Sequence, residues 1–164
     1  MKYILICLLA TISIYIGYSF SRKYVKRAKF FQELVMLCNK FEIEINYSRE
    51  RLKNLFLSLD QKQQASLQGI DKNFIDFLEG QKQLEKEDLF KNISFLKDNE
   101  KDAIFLFFKA LGRSDAESQS KEIKNYRTKF EEFALSASND NKKYGSMSIK
   151  LGIVCALLVS ILIL

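Results

Sequence analysis

The fold of this chain is set first by its apolar stretch Tyr3–Phe20, which reads YILICLLATISIYIGYSF. No charge interrupts it, and a helix of this length would measure about 27 Å at 1.5 Å per residue. A hydrocarbon core is about 30 Å thick, so the stretch predicts an N-terminal transmembrane helix. The alternative is a cleaved signal peptide, but such peptides carry their positive charge before the apolar run. Here five cations follow the run: Arg22, Lys23, Lys26, Arg27 and Lys29.

A second apolar stretch, Leu151–Leu164, reads LGIVCALLVSILIL. As a helix it would measure about 21 Å, a short span that local thinning of the bilayer or packing against other helices can accommodate. The alternative is an apolar tail that docks on a partner. We therefore predict an N-terminal transmembrane anchor over residues 1–20, a helical domain over 21–145 and a C-terminal transmembrane helix over 149–164.

The cations beside the two apolar stretches predict how the chain is oriented. Lys and Arg prefer the cytoplasmic flank of a membrane span. The five cations after the first stretch, and Lys142, Lys143 and Lys150 before the second, all place the middle domain in the cytoplasm. A basic cluster is also compatible with nucleic acid, but its position next to an apolar helix favours anionic lipid head groups. The expected location is the cell membrane, with both ends inserted.

Small residues recur every four positions in both apolar stretches, which places them on one face of each helix. Such residues let another membrane helix approach closely. We predict helix packing at Ser13, Gly17, Gly152, Ala156 and Ser160, with Ser21 extending the first row. The sequence leaves open whether the two rows pair with each other, with another protein, or occur by chance.

The middle of the chain predicts an all-α domain. The sequence has no proline and six glycines, and its apolar residues recur at steps of three, four and seven. We expect a helical bundle of about five or six helices, with a transmembrane helix at each end. A long first helix from about Ser21 to Leu59, bent near 46–48, continues from the membrane. Ile104–Phe108 is apolar on every side and predicts a central helix.

Local signals place the helix ends. The Gln-rich stretch Gln61–Gln68 predicts a loop or a frayed first turn. A helix is expected to follow this stretch and to end at Gly80. Asp98 is the expected N-cap of the next helix. Gly112, followed by Ser114 and Glu117, predicts a tight corner between two helices. We expect the last helix of the domain to break or kink between Asn139 and Gly145.

The sequence offers no pattern for catalysis. It has no histidine, no CxxC pair among its three cysteines and no glycine-rich phosphate loop, so we predict no catalytic residue, cofactor or metal. Glu42 and Glu44 lie two positions apart, and therefore point to different faces of a helix. Glu85, Glu87 and Asp88 fit the acidic first turn of a helix better than a metal site. No small-molecule substrate is expected.

Three blocks of sequence resemble the stage III sporulation protein AB family of endospore-forming bacteria. The first is the basic stretch leading to FEIEINY over residues 41–47, and the second is LGRSD over 111–115 with Gln119 four residues on. The third is Lys143 and Tyr144 followed by LGI over 151–153. The family usually has a Thr-Pro-Leu corner after the tyrosine. Residues 48–52 here lack a proline, so we expect a straighter helix.

The resemblance implies a role in a mother-cell membrane complex that meets a forespore protein across the intermembrane space and forms a channel or feeding tube. The family's soluble domain is similar to the F-type platform domain of type II secretion and type IV pilus machines, which sits over a hexameric ATPase. The implied partners are the sporulation ATPase called stage III sporulation protein AA, other membrane subunits of the complex and membrane lipid. An oligomer is compatible with this reading.

The leading hypothesis is a non-enzymatic membrane platform that couples the ATPase to membrane subunits. Its expected interaction residues are Glu42, Glu44, Tyr47, Arg113, Ser114, Asp115 and Gln119. The alternative for these residues is structural, as helix caps and a satisfied bundle face. Two rival functions are a membrane-tethered scaffold or signalling adaptor without a motor partner, and a small membrane enzyme.

Overall fold

The computed structural model describes residues 2–43, 49–67, 70–91, 93–111 and 116–163. These ranges contain helices and no strand, which confirms the all-α prediction. Because a π-helical turn joins the last two α-helices without a break, these ranges hold six helical stretches of at least seven residues and one short helix of five. The elements are α1 Lys2–Ile43, α2 Arg49–Leu57, α3 Gln61–Leu67, α4 Ile70–Leu78, α5 Lys86–Phe90, α6 Asp98–Ala110, α7 Ala116–Asp140, the π-helical turn Asn141–Gly145 and α8 Ser146–Ile163.

The chain divides into two compact units. The helix pair comprises Met1–Ala28 and Leu135–Leu164, and the bundle comprises Lys29–Ala134. Both boundaries fall inside helices, since α1 and α7 run on past Ala28 and Ala134 without interruption. The sequence-based domain limits of 1–20, 21–145 and 149–164 stay predictions.

Phenylalanine dominates the core of the bundle. Phe107 on α6 lies at its centre, with ring centroids 5.3 Å from Phe130, 5.4 Å from Tyr126 and 6.2 Å from Phe41. These distances are typical of favourable aromatic pairs. The fully buried phenylalanines are Phe30, Phe31, Phe41, Phe56, Phe74, Phe107, Phe108 and Phe130.

Helix α6 is central in the bundle, although part of its surface is exposed. Ile104 and Phe108 are fully buried, as the apolar run predicts, but Leu106 is 52% exposed. The prediction of a central helix contacted from several directions is confirmed, because the Phe107 ring meets rings on α1 and α7 and the Phe108 ring meets rings on α2 and α4. The first residue of α6 is Asp98 and its N-cap is Lys97, one position before the predicted cap. The Lys97 backbone N–H donates to the buried Glu100 carboxylate (2.9 Å), which fixes this end.

The Gln-rich stretch forms helix α3 and not the predicted loop. Its first turn is capped because the Asp60 carboxylate accepts the backbone N–H of Gln63 at 2.8 Å. Gln63 and Leu67 are buried, and the Lys40 ammonium donates to the Gln63 side-chain oxygen at 3.3 Å. Tertiary burial of one face thus outweighs the weak local signal. The predicted end at Gly80 is correct: α4 stops at Leu78, and Gly80 has a φ of +72° that glycine adopts readily.

The last helical stretch was predicted to break or kink between Asn139 and Gly145; it does not break, but its geometry changes from α to π inside that range. The backbone continues from α7 into α8 through the π-helical turn Asn141–Gly145. Among the described residues, one helical stretch, Glu117–Ile161, is long and apolar enough to cross a membrane. The predicted N-terminal span stays a prediction. The predicted bend near 46–48 and the corner over 112–115 lie outside the described residues.

Apolar side chains of the helix pair face outward on both helices. Among the most exposed on α8 are Leu157, Leu158 and Ile161, and on α1 Tyr15 and Phe20 are more than half exposed. A water-soluble helix hides such side chains on one face, whereas a membrane helix presents them to lipid. Large apolar side chains are therefore exposed on the outward surface of both helices.

Candidate functional site: a glycine-centred helix pair and a polar cluster

The two helices of the pair touch backbone to backbone at Gly17 and Gly152. A Cβ atom on Gly17 would lie 2.6 Å from the Ser148 carbonyl oxygen and 3.1 Å from the Gly152 Cα. A Cβ atom on Gly152 would lie 3.0 Å from the Ser13 carbonyl oxygen. Real Cβ atoms essentially never come as close as 2.6 Å, so the close approach requires glycine at position 17, and a Cβ on Gly152 would be crowded. The small residues of α1 and α8 thus face each other here.

The π-helical turn packs against α1 at ordinary van der Waals distance. A Cβ atom on Gly145 would lie 2.7 Å from the Asn141 amide oxygen and 3.6 Å from the Ser21 hydroxyl oxygen. Gly145 and Ser21 are both buried. The Tyr24 and Tyr144 rings stack near this point with centroids 5.9 Å apart. Small and aromatic groups therefore alternate along the contact.

A buried ion pair joins the same two segments. The Arg27 guanidinium donates to the Asp140 carboxylate at 2.6 Å. The Arg27 side chain is 5% exposed and that of Asp140 is 27% exposed. Taking a guanidinium out of water is costly unless a carboxylate meets it with good geometry, so this pair fixes the register of α1 against the end of α7.

The remaining predicted packing residues are Ala156 and Ser160 on α8 and Ser13 on α1. Ala156 is buried, and the Ser160 hydroxyl donates to the Ala156 carbonyl oxygen at 2.8 Å, a satisfied bond within its own helix. Ser13 is half-buried on α1. The role of Ser13, Gly17, Gly152, Ala156 and Ser160 in packing within a membrane stays a prediction.

Charge is divided unevenly between the two units. The helix pair holds eight of the 26 Lys and Arg residues but only one of the 20 acidic residues, Asp140. The bundle holds the other 18 cations against 19 acidic residues, so it is nearly neutral. The net charge of +6 therefore comes from the helix pair alone. An unbalanced cationic segment is suited to a surface of the opposite sign.

In the bundle, Arg127 on α7 gathers a polar cluster with α1. Its guanidinium forms an ion pair with Glu42 and donates to the Asn39 amide oxygen at 3.2 Å. The Glu131 carboxylate lies 3.6 Å from the Arg127 Nε. Among the described members of the predicted interaction set, Glu42 is thus engaged within the bundle. This cluster is a polar patch that ion pairs of Arg127 with Glu42 and Glu131 hold together.

Cys38 lies buried beneath this cluster. Burial raises the pKa of its thiol far above the ordinary value of 9.0, an effect that the Arg127 charge only partly opposes. The neutral thiol is therefore the stable form in the folded bundle. Because a thiolate is the reactive form, Cys38 is a packing residue and not a nucleophile.

We expect Cys38 to resist alkylation at pH 8 until the bundle unfolds. The measurement is iodoacetamide labelling followed by intact mass, in a chain carrying Cys7→Ser and Cys155→Ser. Ser94→Cys in the same background is the control, since Ser94 is exposed and should label at once. Because the unfolded thiol ionises above pH 9 and the folded one does not, stability should fall above pH 9 by up to about 1.4 kcal/mol per pH unit. Rapid labelling of folded Cys38 would contradict this assignment.

Among the predicted corner residues, Gln119 lies within the described ranges. Gln119 is 6% exposed, so its side chain is part of the bundle interior and not of an open surface. Its predicted role as a contact for a partner stays a prediction. Glu44, Tyr47, Arg113, Ser114 and Asp115 lie outside the described residues.

The sequence did not predict the ion pairs that hold the helix pair and the polar cluster together. Arg27 and Asp140 are 113 positions apart, and Arg127 and Glu42 are 85 apart. The only available signal for Asp140 was that it is the sole acidic residue near the second apolar stretch. Within the described ranges, no group of three or more His, Cys, Asp and Glu residues is placed to hold a metal ion.

Comparison with known proteins identifies the family. A family model described as stage III sporulation protein AB matches residues 2–164, nearly the whole chain. No curated protein and no solved structure gives a significant match. The resemblance seen in the sequence blocks is therefore confirmed over the full length. The chain belongs to the stage III sporulation protein AB family, and its role lies in sporulation.

Proposed function

We propose that the protein is a non-enzymatic membrane platform of a sporulation channel complex between mother cell and forespore. The helix pair lies in the mother-cell membrane with both ends inserted, and the bundle is cytoplasmic. The observation that carries the proposal is the division of one family member into a cationic, outwardly apolar helix pair and a nearly neutral bundle. The partners are the sporulation ATPase, stage III sporulation protein AA, and membrane subunits of the complex.

The helix pair supports insertion at both ends. Gly17 and Gly152 bring α1 and α8 together by backbone contact, which is how membrane helices associate when lipid competes with apolar side chains. The cations Arg22, Lys23 and Lys26 follow the apolar part of α1, and Lys142 and Lys143 precede that of α8. In an antiparallel pair these cations lie at one end, so they favour one membrane face, the cytoplasmic one.

Topology is tested by reporter fusions in the mother cell. Fusions of a cytoplasmic-only fluorescent protein and of alkaline phosphatase at Met1, Gln83 and Leu164 are compared. We expect a cytoplasmic signal at Gln83 and an exterior signal at both termini. An exterior signal at Gln83 would overturn the placement of the bundle.

A face of α1 in the bundle is a suitable surface for the ATPase. Met36, Asn39 and Ile43 are exposed and lie at helical spacing on one face, and Ile43 is 84% exposed. The Glu42–Arg127 ion pair borders this face and holds its polar edge in place. An exposed aliphatic residue beside an ordered ion pair is typical of the centre and rim of an interface.

We expect Ile43→Asp to weaken binding of the full chain in detergent to the purified ATPase with nucleotide by tenfold or more, since it places a charge in the contact. Leu57→Asp is the matched control: Leu57 is 58% exposed on α2, and its change should leave the affinity within twofold. The measurement is biolayer interferometry with the chain immobilised. Equal affinities of both variants and the unchanged chain would exclude this face as the docking surface.

The second candidate is a membrane-tethered scaffold or adaptor without a motor partner. It predicts that the ATPase does not bind in any nucleotide state, while deletion of the gene still blocks late sporulation. Binding of the ATPase at micromolar affinity or tighter would exclude it.

A further inference from the structure

A lateral groove runs along the contact between α1 and α8 in the helix pair. Its volume is about 390 Å³, and its walls are apolar or small side chains: Ser13, Ile16, Gly17, Phe20, Ser148, Leu151, Gly152 and Cys155. Gly17 and Gly152, whose backbones meet at the crossing of the two helices, both line this groove. All of these residues belong to the helix pair.

One end of the groove carries a cation. Lys23 is exposed, and its ammonium lies 5.3 Å from the ring centroid of Phe20, which lines the groove. Arg22 is the neighbouring exposed cation, but its guanidinium lies over Tyr18, a residue that does not line the groove. Lys23 is therefore the cation placed at the mouth, and Arg22 faces elsewhere.

We propose that this groove binds one anionic phospholipid, with an acyl chain along the groove and the lipid phosphate on Lys23. This inference rests on the membrane insertion in the proposed function. Two complementary matches support it: methylene groups against Ile16, Phe20 and Leu151, and a phosphate against the Lys23 ammonium in a unit with eight cations and one carboxylate.

A third transmembrane helix fits the groove less well. A helix with its side chains is about 10–12 Å across, whereas a space of 390 Å³ beside two crossing helices suits a slender chain. A helix would also place apolar side chains against Lys23 at the mouth, where the cation would lose water without gaining a counter-charge. An anionic phospholipid fits both parts of the site, because its acyl chain packs on the apolar walls and its phosphate pairs with Lys23.

The test is lipid retention by the full chain in a mild non-ionic detergent, counted by native mass spectrometry. Dioleoyl phosphatidylglycerol and dioleoyl phosphatidylcholine are titrated in parallel. We expect one phosphatidylglycerol to bind at least fivefold more tightly than phosphatidylcholine. Lys23→Gln should weaken phosphatidylglycerol binding at least fivefold, and Arg22→Gln, which removes the same charge from the other face, less than twofold.

The groove itself is tested by Cys155→Trp, which fills it. This variant should lower retention of both lipids, while Cys7→Trp should leave retention unchanged, since Cys7 is exposed on α1 and does not line the groove. Equal losses from Lys23→Gln and Arg22→Gln, or equal binding of both lipids, would overturn the proposal in favour of diffuse attraction.

A photo-crosslinker on Cys155 in native membranes separates the occupants. Capture of phospholipid supports the site, and capture of a protein subunit alone overturns it in favour of a helix. Failure of membrane insertion is recognised independently, because the chain would then appear in the aqueous fraction without detergent. A chain that fractionates with membranes but retains no lipid refutes this inference and leaves the platform function standing.

Discussion

Replacing Phe107 by alanine is expected to destabilise the bundle by about 4 kcal/mol, the usual cost of deleting a fully buried phenylalanine. Phe107 is 1% exposed, and its ring meets Phe41, Phe108, Tyr126 and Phe130 on three helices, so neighbours on several sides would have to move to close the cavity. A loss of this size approaches the total stability of many domains. Denaturant unfolding in detergent, followed by far-ultraviolet circular dichroism, measures it.

The adjacent residue gives a matched control. Leu106 is 52% exposed on the same helix, so Leu106→Ala also truncates a large apolar side chain but opens no cavity. We expect it to change the free energy of unfolding by less than about 0.5 kcal/mol. Similar losses for both variants would mean that α6 does not face the core as described.

Replacing Asp140 by alanine is expected to destabilise the helix pair by about 2–3 kcal/mol. The change removes the carboxylate that meets the buried Arg27 guanidinium at 2.6 Å, and breaking a buried pair from one side costs about 3–5 kcal/mol. We expect a loss below that range because the Asp140 side chain is partly exposed. The measurement is the thermal midpoint of the full chain in detergent, combined with sporulation efficiency in cells.

A double replacement isolates the ion pair from general effects. Arg27→Met with Asp140→Leu removes both charges and should recover most of the lost stability, because apolar residues of similar volume often replace buried ion pairs without loss. Lys142→Ala is the surface control, with little expected change because Lys142 is exposed. If Asp140→Ala has no greater effect than Lys142→Ala, the pair does not hold α1 in register.

The fold class was predictable because its signal is local and periodic. Apolar residues recur at helical steps along the middle of the chain, and among them Phe41, Phe74 and Phe130 are fully buried. The Gln-rich helix α3 was not predictable, since its stability comes from burial of Gln63 and Leu67 and from the Asp60 cap, with Lys40 reaching it from 23 positions away. The local sequence around Gln63 does not indicate a contact with Lys40.

The candidate sites were predictable only in part, for a similar reason. Spacing marked Gly17 and Gly152 as small residues on helix faces, but it could not say that the two glycines face each other. Glu42 was marked through the family resemblance, whereas its partner Arg127 was one cation among many on a mixed helix. Ion pairs between distant segments become visible only when the backbone has brought them together.

The π-helical turn determines which face of α8 is directed towards α1. Asp140 and Gly152 both face α1, yet 12 residues separate them, and in an uninterrupted α-helix they would point about 120° apart at 100° per residue. A π turn accommodates one additional residue, which reduces the offset to about 20°. The π-helical turn therefore allows one uninterrupted helical stretch to direct both Asp140 and Gly152 towards α1. Converting the turn to α-helix with all its residues kept would rotate the terminal segment by about 100° and turn Gly152 away from Gly17, whereas deleting one residue between Asn141 and Gly145 would preserve their facing.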